Sequence, residues 1–67
     1  MPFKVEMNCC GHWEDAEWSE NNQPMRFATA TAANTEIDEH IYLTHEAFAR
    51  GDMAEPHDRR DYRAVPC

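Results

Sequence analysis

The first regular signal along the chain is an alternation. Phe3, Val5, Met7 and Cys9 take every second position, with Lys4, Glu6 and Asn8 between them. A period of two over seven residues predicts a strand with one buried face. Cys10-Gly11-His12 reads as the start of a reversal, and residues 13–18 read as a second strand, made ragged by Glu14, Asp15 and Glu17. A regular strand puts residues five steps apart on opposite faces. Trp13 and Trp18 are therefore expected on different sides of the sheet with at least one exposed, against the plainer alternative that both pack under loops or on a helix. Asn21-Asn22-Gln23-Pro24 is a loop by composition, and Met25-Arg26-Phe27 is a short extended piece that rejoins the second strand beyond a kink.

From Ala30 to Arg50 the period changes. At 100° per residue, Ala30, Ala33, Ile37, Ile41, Thr44 and Phe48 fall on one stripe flanked by His40, Leu43 and Ala47, while Thr35, Asp38, Glu39, Tyr42, Glu46 and Arg50 fall opposite. Thr29 suits the N-cap and Gly51 the stop. Ala32 stands where a capping box would want an acid or amide. Glu46 and Arg50 stand four apart in the favourable order, and Glu36 is placed to raise the pKa of His40 slightly. Beyond Gly51 the chain turns through Asp52 to Pro56, alternates charge through Asp61, and offers Tyr62-Arg63-Ala64-Val65 as a last strand ended by Pro66. This order predicts an α+β fold: a small ββαβ unit, with one amphipathic helix on a three-stranded antiparallel sheet and the last strand beside the first.

With 67 residues the expectation is a single domain, 1–67, with a thin core. Thirteen acids against six bases give a net charge of −7, which disfavours direct contact with nucleic acid, since phosphate recognition needs clustered Lys and Arg. Asp58 and Asp61 interleave with Arg59, Arg60 and Arg63 and point to local salt bridges there. No stretch is long and apolar enough to span a bilayer. Lys4 and Glu6 interrupt any leader-like run, so a cytoplasmic setting without membrane contact is expected. The acids concentrate in the second strand (Glu14, Asp15, Glu17, Glu20) and on the helix face (Asp38, Glu39, Glu46). Together with Trp18 and Tyr42 they form the candidate partner-binding set, suited to a basic surface. Ordinary solubility is the plainer account of the same charge.

Candidate chemistry is sparse. Cys9, Cys10 and Cys67 are poor material for a disulfide framework, and neighbouring Cys9 and Cys10 are expected on opposite faces, one of them buried. Cys9, Cys10 and His12 lack zinc spacing, so no metal site and no cofactor are assigned. His45-Glu46 begins a metalloprotease pattern, but Ala49 stands where its second histidine is needed. Ser19 lies in an acidic stretch with no nucleophile elbow. The expectation is a protein that is not an enzyme.

Pro24-Met25-Arg26-Phe27-Ala28-Thr29, Gly51 to Asp58 and Asp61-Tyr62-Arg63-Ala64-Val65-Pro66 resemble a set of small proteins from proteobacteria and their phages. The sequence departs from that set at Ala32, where an acid is expected, and at His57, where an aromatic is expected. The resemblance implies a phage or mobile-element setting, in which small acidic proteins include anti-CRISPR inhibitors. The functional expectation is thus an acidic binding module that covers the basic nucleic-acid site of a host defence nucleoprotein. The alternatives are a self-associating structural domain, for which a homodimer is possible, and a minor metal-binding protein.

Overall fold

A computed structural model describes residues 1–67. Strand β1 (Phe3–Cys9) is central, with β2 (His12–Asp15) antiparallel on one edge and β5 (Tyr62–Pro66) antiparallel on the other. Helix α1 (Ala30–Ala49) lies across one face. The fold is α+β with the expected strand order, plus a two-stranded ribbon, β3 (Ser19–Glu20) and β4 (Gln23–Pro24).

Backbone signs explain where the second half of the ββ unit departs from expectation. Cys10 and Gly11 have φ of 57° and 88° and make the two-residue reversal between β1 and β2. Strand β2 stops at Asp15 rather than running to Trp18, because Glu17 adopts a left-handed φ of 58°. Its N–H is held by the Asp15 carboxylate at 2.7 Å, an Asx-type turn that competes with the ladder. Asn21 and Asn22, with φ of 53° and 65°, form a second tight turn, so the stretch expected as loop folds instead as the β3–β4 hairpin. Phe27 then returns to β1, exchanging both backbone hydrogen bonds with Phe3 at 2.7 and 2.9 Å. Val5 O accepts from Ala16 N at 3.0 Å. Residues two apart present their backbone groups to one edge, so Ala16 and Phe27 line the same edge as β2 and the ribbon is an excursion from it.

Thr29 Oγ1 accepts from Ala32 N at 3.1 Å and caps the helix. At the other end Gly51 N donates to Phe48 O and Asp52 N to Ala47 O, at 3.0 and 2.8 Å. This is a Schellman closure that needs the φ of 84° at Gly51.

The core is small. Val5, Ala33, Ile37 and Tyr62 are its buried apolar members, with Phe3, Met7, Ala16, Trp18, Phe27, Ile41 and Ala64 packed against them. Register puts Val5 opposite Ala64 and Met7 opposite Tyr62 on the helix side of the sheet. The predicted stripe holds through Ile41 and Thr44 and fails at its last member, Phe48, which is 47% exposed; Leu43, expected on the flank, is 53% exposed. A 20-residue helix is about 30 Å long, whereas the five residues of β5 extend roughly 17 Å, so the C-terminal turns overhang the sheet. Cys9 and Cys10 are both exposed, which corrects the expectation that one is buried: β1 ends at Cys9, and Cys10 has left the ladder.

Ile37 is fully buried, and Ile37→Ala should remove about 3 kcal/mol, the middle of the range for such truncations. A domain of this length has roughly 3–10 kcal/mol in total, so urea denaturation should find the variant largely unfolded or close to it. Leu43→Ala, on an exposed flank of the helix, should move the midpoint little.

Candidate functional site

The charge inventory separates two kinds of surface. Five of the six bases are committed to ion pairs: Lys4 with Asp15, Arg50 with Asp52, Arg59 with Asp38, Arg60 with Asp58, and Arg63 with Glu6. Eight of the thirteen acids have no ion-pair partner, among them Glu14, Glu17, Glu20, Glu36 and Glu39. The expected Glu46–Arg50 pair does not form, because the Schellman turn brings Arg50 to Asp52 at 3.1 Å and Glu46 accepts from the Tyr42 hydroxyl at 3.0 Å. That contact raises the Tyr42 pKa. Arg60 and Asp58 form the local salt bridge expected there, holding the Asp58 carboxyl down to about 2. Arg59 and Arg63 instead reach across the fold to Asp38 and Glu6.

The nine candidate partner-binding residues therefore do not form one surface. Asp15 is turned to the outer face of the sheet, opposite Glu6 in register and paired with Lys4; its pKa is lowered first by the Glu17 N–H it holds. Glu14 pairs with Met7 in register and is exposed on β2. Asp38 is neutralised by Arg59, and Tyr42 with Glu46 lies on the exposed side of the helix. Glu17, Trp18, Glu20 and Glu39 are brought together around the β3–β4 ribbon, and Glu36 joins them. Between ribbon and helix runs an open groove of about 340 Å³, lined by Trp18, Ser19, Met25, Glu36, Glu39, His40 and Leu43.

Trp18 and Trp13 do occupy opposite sides of the sheet, although the strand between them is broken. Trp13 is 37% exposed on the outer face, with the Arg63 guanidinium 4.1 Å from its ring centroid. Trp18 is half-buried against the core rather than a free anchor, because its ring is 4.9 Å from that of His40 and 5.9 Å from that of Tyr62.

Those contacts belong to a cluster that pattern reading did not find. His57 Nδ1 lies 2.8 Å from Tyr62 Oη and 3.1 Å from His40 Nε2. His57 Nδ1 is thus the shared partner of both groups, accepting from the Tyr62 O–H and the His40 Nε2–H in one tautomer or donating to Tyr62 Oη and His40 Nε2 in the other. The His57 backbone N–H donates to Thr44 Oγ1 at 3.2 Å, and that hydroxyl donates to Ile41 O at 2.8 Å. Thr44, the one buried polar residue, thus ties the segment before β5 to the helix. Burial, and then the neighbouring His57, lower the pKa of His40. The expected upward shift from Glu36 is corrected, since no hydrogen bond or ion pair joins the two and desolvation dominates. Burial likewise raises the Tyr62 pKa.

No group of three or more His, Cys, Asp or Glu side chains converges with metal-binding geometry. Cys9 and Cys10 Sγ stand 4.0 Å apart at the exposed β1–β2 turn. No helix is long and apolar enough to cross a membrane. No family model, curated protein or solved structure matches the chain.

The lowered His40 pKa has a signed consequence. The folded state resists protonation of this ring while the unfolded chain takes up a proton near the ordinary value of 6.5. The stability that His40 contributes is therefore complete above that value and is lost as pH falls through the lower folded pKa. Chemical denaturation at pH 7.5 and pH 5 should show a drop in stability on acidification, and His40→Phe should flatten that drop. An unchanged pH slope in the variant would place the acid sensitivity elsewhere.

Proposed function

We propose that this protein is a non-enzymatic binding module whose acidic rim covers a basic surface on a protein or nucleoprotein partner. The supporting observation is the contrast between spent and unspent charge: nearly all the cations are consumed inside the molecule, while Glu17, Glu20, Glu36 and Glu39 surround Trp18 and the ribbon without an ion-pair partner. Like charges kept together at one edge cost self-repulsion in the free protein, and a cationic partner relieves it. Surfaces built for phosphates carry the complementary charge. The resemblance to phage-borne proteins gives the reading its specific form, an anti-CRISPR-type inhibitor that occupies the nucleic-acid site of a host defence nucleoprotein.

Affinity capture from the host supplies the partner, and binding kinetics at increasing salt test the reading. Association should slow steeply as salt rises. The variant Glu17→Lys, Glu20→Lys, Glu36→Lys, Glu39→Lys should associate roughly tenfold to a thousandfold more slowly while keeping its circular dichroism spectrum. Reversal of Glu46, Glu55 and Asp61 should matter much less. Binding indifferent to salt, or equal losses in the two variants, would contradict the proposal.

A further inference from the structure

The outer face of the sheet shows how this fold holds a guanidinium. Arg63 lies 4.1 Å over the Trp13 ring while its Nη2 and Nε donate to Glu6 Oε1 at 2.7 and 2.9 Å. An indole face takes the flat cation and a carboxylate takes its N–H edge, a combination stronger than either contact alone. The groove between ribbon and helix has the same components without the cation. Trp18 forms one wall, Met25 and Leu43 supply apolar surface, and Glu36 and Glu39 line the rim. Neither glutamate takes part in an ion pair or a side-chain hydrogen bond. The one base outside the ion pairs, Arg26, donates to the carbonyl of Met25 at 2.9 Å and lines the neighbouring depressions, one of them shared with Glu20 and Glu36, without forming an ion pair.

We infer that this groove is a receptor for one arginine side chain presented by the partner. It rests on the proposed function in that the partner is basic, and it names the group recognised and the atoms that recognise it. The methylene stem lies along Met25 and Leu43, which accounts for a leucine 53% exposed on a helix side turned to solvent. The guanidinium stacks on the Trp18 face and donates to Glu36 and Glu39. At about 340 Å³ the groove is at the small end of ligand sites, matching one long side chain rather than a folded segment. Arginine is favoured over lysine because a planar fork can stack and donate together, whereas an ammonium is a point charge.

The full chain, labelled with ¹⁵N, is titrated with N-acetyl-argininamide, its neutral isostere N-acetyl-citrullinamide, and N-acetyl-lysinamide. The Trp18 indole N–H, assigned with the Trp13→Phe variant, should shift saturably with the arginine probe in the millimolar range. The response should be weaker with lysine and absent with citrulline. Glu36→Gln with Glu39→Gln should abolish it while leaving the rest of the spectrum in place. Equal shifts with citrulline, shifts at Trp13 instead of Trp18, or no saturable shift would overturn the proposal. A partner that binds the double glutamine variant as tightly as the parent, still with strong salt dependence, would also overturn it and leave the acidic-rim reading standing.

Discussion

One helix laid on three short strands can bury very little, and the rest of this molecule follows from that shortage. Five residues of 67 are buried, and only Ile37 among them is a large aliphatic residue buried completely. The sides of so narrow a core have to be closed by something else. Here the closure is made by rings that carry polar atoms: Trp18 from the β2–β3 connection, His40 from the helix, His57 from the segment before β5, and Tyr62 from β5 itself. Each supplies a large apolar area together with a polar group, and no buried side-chain polar atom is left without a partner. The cluster is at once packing and polar network, so its stability is linked to proton uptake.

Charge is organised around the same scaffold. Arg59 bonds Asp38 and Asn34 on the helix as well as the carbonyl of Tyr62, and Arg63 joins β5 to β1 through Glu6. Exposed ion pairs contribute about 0–1 kcal/mol each, so the main consequence of these pairings is the acidic surface they leave over. That surface is densest where the ribbon stands away from the sheet and the helix side carrying Glu36, Glu39 and Leu43 is uncovered. The exposed acidic rim and the thin packing thus share one origin, an excursion of the chain between Glu17 and Arg26 that covers the helix only in part.

The helix and the strand order were legible because both rest on repeated local signals: a 3.6-residue stripe with Thr29 and Gly51 at its ends, and a strict alternation in β1. The β3–β4 ribbon was not legible. It depends on left-handed backbone at Glu17, Asn21 and Asn22, and glutamate gives no warning of such a conformation. The exposure of Phe48 depends on the relative lengths of helix and sheet, and that of Leu43 on which helix flank the ribbon covers; periodicity along one element contains neither. The histidine cluster joins residues 17, 13 and 5 positions apart through single contacts, and no spacing rule describes it. The acid-rich stretches were visible as composition, but which acids are neutralised by which arginines is a property of the folded chain alone.

The central claim is that polar rings complete the core, and side-chain ¹⁵N NMR of the histidines across pH 4.5–8 tests it most directly. The account predicts that the His40 and His57 rings each hold one tautomer at neutral pH, fixed by the contacts they share at His57 Nδ1. It also predicts that His40 takes up its proton below the ordinary imidazole range. Rings that average between tautomers, with His40 titrating at its ordinary value, would show that the cluster is not part of the core.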